Sequence, residues 1–226
     1  MDAFAALPDA SGIPLPTMLR QLIDAGRTGY GADIEAWRTD WKARTLAAQP
    51  VLSCAYDLEW IDAKQAGEFI AEWLNPAFQH GRRFLPFAQT GAGDAYCLTP
   101  LANGDIGVAL VWHDRGKSRI EAASFAAFVY EVLVRSAADF SHLLDDDYSP
   151  AEAVQCVAAN IEALGVYLPE AMRAGLEHVL ADALPEPDDE AAKMINDETA
   201  QAALALLPEV EDAAFAVVAR WECGKQ

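Results

Sequence analysis

Apolar residues recur along this chain at two spacings. Met18, Leu19, Leu22 and Ile23 follow Pro14 and Pro16 at helical spacing and end at Gly26, which predicts a short helix. Ile34, Trp37 and Trp41 share one face of a second helix, with Asp33 as its cap. From Leu52 to Trp60 the spacing drops to two: Leu52, Cys54, Tyr56, Leu58 and Trp60 predict a half-buried strand. Asp57 and Glu59 would then lie together on its other face. Asp62 is placed to cap the next helix, which carries Ala66, Phe69, Ile70, Trp73 and Leu74.

Pro76 and Gly81 mark a loop, and strand-like runs follow. Arg83 to Ala88, Ala95 to Thr99 and Ile106 to His113 are separated by Gly91-Ala92-Gly93-Asp94 and Asn103-Gly104-Asp105. Both separators are turn sequences, because glycine reaches positive φ without steric cost. Strands joined by tight turns pair antiparallel as a meander. The run from Ile106 is apolar almost throughout, so it belongs in the middle of the sheet. Ser124 caps an amphipathic helix to about Phe140, with Phe125, Phe128, Val129, Val132 and Leu133 turned toward the sheet.

Beyond Asp145-Asp146-Asp147 the strand period is absent. Ser149-Pro150-Ala151-Glu152 is a capping box with proline at the first helical position, and its helix runs to Leu164 with a stop at Gly165. Pro169 opens another helix through Leu184. Pro185 to Glu190 reads as an acidic linker or helix start. Two further helical segments are split at Pro208, the last carrying Phe215, Val218 and Trp221. The expected fold class is α+β: an antiparallel meander sheet flanked by helices, followed by an all-helical acidic C-terminal extension. The domain division expected is 1–140 and 141–226.

Composition narrows the partners. The chain has 226 residues, 53% of them hydrophobic, enough for a sizeable core. It has no long uninterrupted apolar run, and the acidic start Met1-Asp2-Ala3-Phe4 lacks the basic region of a secretory signal, so a cytoplasmic protein is expected. The net charge is −19. Up to Ala138, 16 acidic against 12 basic residues give −4; from Asp139 on, 19 against 4 give −15. Such a charge disfavours nucleic acid and anionic membranes and favours a basic protein partner. Asp145, Asp146, Asp147, Asp188, Asp189 and Glu190 are the candidate partner-binding residues. Neither acidic run has the alternating ligands, glycine and terminal glutamate of a calcium loop.

No catalytic set stands out. Gly91-Ala92-Gly93 lies between strands and not at a helix start, and Asp94 would repel a phosphate. His113 and Asp114 adjoin at a strand end without a nucleophile or metal motif beside them, which favours a structural histidine; an enzyme with a site around this pair is the second alternative. Cys54, Cys97, Cys156 and Cys223 are widely spaced and read as small apolar residues, and the histidines do not join them at zinc spacing. No cofactor and no metal is expected. The six tryptophans fall mostly at core-facing positions; one that proved exposed would be an interface anchor.

The central segment resembles the SUKH superfamily, the Smi/Knr-type domain. The resemblance rests on Leu85-Pro86-Phe87-Ala88, the hairpin Gly91, Gly93, Asp94, Tyr96 and Leu98, then Val111-Trp112-His113-Asp114, and Ser124-Phe125 with Phe128. It covers about Phe84 to Leu133. It implies an antiparallel sheet flanked by helices and a non-enzymatic role. Bacterial members of the superfamily resemble immunity proteins that bind a cognate toxin; fungal members regulate cell-wall synthesis and signalling. The resemblance therefore implies a toxin-neutralising binding protein, with a regulatory or scaffold protein as the alternative. No catalytic residue carries over. Pro86 would set strand entry, Gly91 and Gly93 the turn, and Trp112 and Phe125 the packing.

Overall fold

In the computed structural model, residues 4, 7, 11–31, 34–184, 192–210 and 213–224 are described. In chain order the elements are helix α1 (Thr17–Asp24), helix α2 (Ile34–Leu46), strand β1 (Glu59–Trp60), helix α3 (Ala63–Glu72), and strands β2 (Leu85–Gln89), β3 (Ala95–Pro100), β4 (Ile106–Val111) and β5 (Lys117–Ala122). Helices α4 (Phe125–Ala138), α5 (Ser141–Asp145), α6 (Pro150–Gly165), α7 (Glu170–Ala181) and α8 (Asp197–Leu204) follow, then strand β6 (Ala214–Ala216) and a 3₁₀ turn (Arg220–Glu222). The chain forms two compact units. The first contains Met1–Asp24, Asp57–Phe128 and Pro208–Gln226; the second contains Ala25–Tyr56 and Val129–Leu207.

The first unit is built on a six-stranded antiparallel sheet in the order β1-β2-β3-β4-β5-β6, the expected meander. Both hairpin separators form turns, with Gly93 and Gly104 at positive φ. Two of the sheet's strands depart from the sequence reading. Strand β5 is not foreseen, because of its alternating positions only Ile120 is a large apolar residue. Strand β6 replaces a helical segment, so the C-terminal part is not helical throughout. Phe215, Val217 and Ala219 are buried while Ala214, Ala216 and Arg220 are exposed, a period of two where Phe215, Val218 and Trp221 had suggested a period of three. The short β1 and β6 leave little unpaired strand edge.

The core of this unit gathers on Phe87. Its ring meets Phe125 and Phe128 edge-on at 5.4 and 5.8 Å and lies 5.8 Å from Trp60. Strand β2 has no ladder of alternating faces: Leu85, Pro86, Phe87 and Ala88 are all buried. Pro86 lacks an N–H for the ladder, and the register shifts between Pro86 and Ala88, as a bulge accommodates it. Ser124 caps α4 as expected, its Oγ accepting the Ala127 N–H at 3.1 Å, and Asp62 caps α3 through the Gln65 N–H at 2.8 Å.

A strand from Leu52 to Trp60 does not form. Only Glu59 and Trp60 are extended, because Leu52 and Asp57 take positive φ values of 61° and 52° and fold the chain into turns. Asp57 and Glu59 are therefore not a pair on one strand face. The Asp57 carboxylate accepts the Gly91 N–H at 2.6 Å, and Glu59 accepts from Gln89 at 3.0 Å.

The second unit is helical, with α2 against α6. The Cys156 thiol donates to the Thr45 carbonyl at 3.4 Å, and Lys42 pairs with Glu152 at 3.0 Å. The capping box at Ser149 and Glu152 is present in both directions. Asn160, wholly buried, donates to Ser53 Oγ and to the Cys156 carbonyl. Met194 and Phe140 close the unit through backbone bonds to Ala137 and Ala192, each of 2.8 Å. The expected cap Asp33 lies outside the described residues. Cys54, Cys97 and Cys156 are free and buried, as read, while Cys223 is half-buried.

Candidate functional site

The acidic run Asp145-Asp146-Asp147 ends α5 in the second unit. All three side chains are exposed, and among the described residues none of the three carboxylates is in an ion pair. The end of a helix already carries partial negative charge on its free carbonyls, so carboxylates there gain nothing from the helix. Asp147 takes φ 63°, and its carbonyl accepts from Lys42 Nζ at 3.0 Å. The other predicted acids, Asp188, Asp189 and Glu190, lie outside the described residues.

Aromatic side chains border this run. His142, one turn back on α5, is half-buried and directs Nε2–H to the Cys54 carbonyl at 3.1 Å. Its ring meets the Tyr56 ring edge-on at 5.5 Å. Burial lowers the His142 pKa below its ordinary value, against the opposing pull of the Cys54 bond and of Asp139, Asp146 and Asp145. Tyr56 itself is 73% exposed, although its sequence position had read as an inward strand residue. On the other side, Tyr148 follows Asp147 and holds Trp41 edge-on at 5.7 Å, with the Lys42 ammonium 5.0 Å from the Tyr148 ring. Trp41 is 37% exposed and Trp221, in the first unit, 51%. These two depart from the reading of the tryptophans as packing, whereas Trp73 and Trp60 are buried.

The second place is in the first unit. His113 and Asp114 are joined by Asp94, which the sequence showed only as a turn residue. Pairing of Ala95 with Val111 brings the end of the β2–β3 turn level with the end of β4. Asp94 Oδ1 accepts the His113 N–H at 3.0 Å and lies 2.7 Å from His113 Nδ1. One ligand atom from each of Asp94, His113 and Asp114 lies within 4.8 Å of the others. Arg115 approaches Asp114 at 3.5 Å and stacks 4.6 Å from the Trp112 ring centre. The Gly91 N–H is taken by the Asp57 carboxylate at 2.6 Å. Nearby, Tyr96 has its phenol pushed up to about 12, mainly by burial and then by Glu121 and Asp57.

The first unit also holds a shallow apolar cleft of about 310 Å³ between Pro14, Leu15, Met18, Ile106 and Phe125. It contains no titratable group. Among the described residues no helix is long and apolar enough to cross a membrane.

No curated protein and no solved structure matches this chain. A family model does, and its match starts far ahead of the Phe84–Leu133 segment that carries the resemblance, taking in α1 to β1 as well as β2 to β5. That model, matched over residues 2–131, is the SMI1 / KNR4 family (SUKH-1), and the chain belongs to it.

Proposed function

We propose that this protein is a non-enzymatic, immunity-type protein that neutralises a cognate toxin by binding it directly. Membership of the SUKH-1 family over residues 2–131 is the observation that carries the reading. The partner proposed is a basic protein domain in the cytoplasm. Its contact surface includes Asp145, Asp146 and Asp147, with Tyr56 and Trp41 as aromatic anchors beside them. All three carboxylates are exposed at the end of a helix, where the helix itself offers them no favourable charge. A basic partner supplies one, and a complementary field speeds association. Tyrosine and tryptophan next to such a field are the side chains that interfaces use as anchors. Asp188, Asp189 and Glu190 extend the acidic character of the same chain segment.

The test is growth rescue. Cells expressing a toxin domain found encoded beside this gene are expected to survive when the protein is co-expressed. The triple change of Asp145, Asp146 and Asp147 to Asn is expected to weaken rescue and to slow association at low salt. If no such toxin is neutralised or bound, the reading fails. If the wild type rescues and the triple variant rescues equally, the function stands and this surface is wrong.

A further inference from the structure

We propose that Asp94, His113 and Asp114 form a binding site for a divalent transition-metal ion of the zinc class. The three residues are separated by up to 20 positions in the chain, yet the β3–β4 ladder brings one ligand atom of each within 4.8 Å of the others. Two of the three are already fixed. The Asp94 N–H donates to Thr90 Oγ1 at 3.0 Å, and its Oδ1 is held by the His113 N–H. The His113 carbonyl in turn accepts the Arg220 N–H at 2.8 Å, which pins the end of β4. Asp114 is exposed and held only by its ion pair with Arg115 at 3.5 Å.

As the side chains stand, His113 Nδ1–H donates to Asp94 Oδ1, so an ion exchanges that hydrogen bond for two metal bonds and draws in the Asp114 carboxylate. A tetrahedral ion with bonds of about 2.0–2.1 Å spaces its ligand atoms at roughly 3.3 Å. The 2.7 Å Asp94–His113 pair opens by roughly half an ångström to reach that spacing. On binding, the ring proton moves from Nδ1 to Nε2 and Nδ1 gives its lone pair to the ion. Imidazole with two carboxylates suits zinc-class ions, whereas calcium and magnesium prefer oxygen alone. Three protein ligands leave further positions to water, as in open zinc sites. The competitor is Arg115, whose guanidinium holds Asp114 at 3.5 Å when no ion is bound. This site is independent of the acidic run in the other unit.

The test is calorimetric titration of zinc chloride into the full-length protein after removal of metals with a chelator. One ion per chain is expected, with amide shifts in NMR spectra at 94, 113 and 114. His113→Gln and Asp114→Asn are each expected to weaken binding at least about tenfold, the range set by a disturbed metal site. Arg115→Ala is expected to tighten it, which loss of packing alone would not do. A triple variant His80→Asn, His178→Asn, Cys223→Ser is expected to bind as the wild type. Asp94→Asn tests the same site, but Asp94 also ties the turn to β4; Asp114→Asn, on an exposed side chain, is decisive when that variant fails to fold. Absence of saturable uptake, wild-type binding by Asp114→Asn, or loss of binding in the triple variant overturns the proposal.

Discussion

Gln79→Leu should loosen the C-terminal strand and cost a large part of the protein's stability. Gln79 is 1% exposed. Its Nε2 donates to the Trp73 carbonyl at 2.7 Å and the Val218 carbonyl at 2.9 Å, and its Oε1 accepts the Val218 N–H at 2.9 Å. The amide thus pairs with Val218 as a strand backbone would, across 139 residues of chain. Leucine fills a similar volume and offers no polar atom, so three backbone groups lose the amide at once, the Trp73 and Val218 carbonyls keeping only a weak thiol contact from Cys223 at 3.8 and 4.0 Å. A buried unpaired group costs about 1–3 kcal/mol. Val218 is only half-buried and recovers water on one side, so the expected loss is about 2–5 kcal/mol. Against a total of about 5–15 kcal/mol this is easily read in a urea melt. Hydrogen exchange should quicken at Phe215 to Val218. Gln79→Glu separates hydrogen bonding from volume: it keeps an acceptor for the Val218 N–H but sets a second oxygen against two carbonyls. It should be worse than leucine at pH 7 and should recover as acid protonates it. A loss under about 1 kcal/mol for Gln79→Leu, with unchanged exchange, would refute the clamp.

Three further perturbations probe other parts of the structure. Gly107→Ala places a methyl 2.8 Å from the Ala122 carbonyl oxygen and 2.8 Å from Leu101 Cδ2; the melt should fall by about 1–3 kcal/mol, and an unchanged melt would mean that β4 and β5 can part there. Phe87→Ala removes the ring on which Phe125, Phe128 and Trp60 converge, for about 3–5 kcal/mol by urea unfolding; a loss under about 1 kcal/mol would refute its central place. Glu152 accepts the Ser149 N–H first, then Lys42 and the Ser149 hydroxyl, which lowers its pKa to about 2. A carboxyl held low when folded stabilises above its unfolded value of about 4.3 and loses that contribution as pH falls toward the folded value. Carboxyl-detected NMR should show its midpoint near the folded value, and Glu152→Gln should flatten the acid limb of stability in that window; an ordinary midpoint would refute the capping box.

What was legible in the sequence is what local chemistry decides. The turns at Gly93 and Gly104 and the caps Asp62, Ser124 and Ser149 each depend on residues within a few positions, and each forms as read. The exceptions share one cause. From Leu52 to Trp60 a period of two is present, but whether it becomes a strand depends on the backbone between, and Leu52 and Asp57 turn it aside. Lys117 to Ala122 and Ala214 to Ala216 are poor strands on composition and become strands because neighbours supply the ladder: β4 pairs with β5, and β5 pairs with β6. Tertiary pairing decides such segments more than intrinsic preference does.

The two candidate sites differ in legibility for the same reason. The acidic run is contiguous, so charge alone marks it, and structure adds only its exposure and its place at a helix end. Tyr56 was misplaced because its neighbourhood was misread as a strand. Asp94 was read in isolation, as a residue that would repel an anion, and its repulsion of anions is one side of an attraction for cations. Its relation to His113 follows from the sheet register, Ala95 opposite Val111, which no spacing in the sequence states. A one-residue slip in that register would send the Asp94 side chain to the opposite face and separate it from His113. The same ladder that makes this stretch a framework therefore also assembles its chemistry, and a strand end in this fold can carry a ligand set without any local motif to announce it.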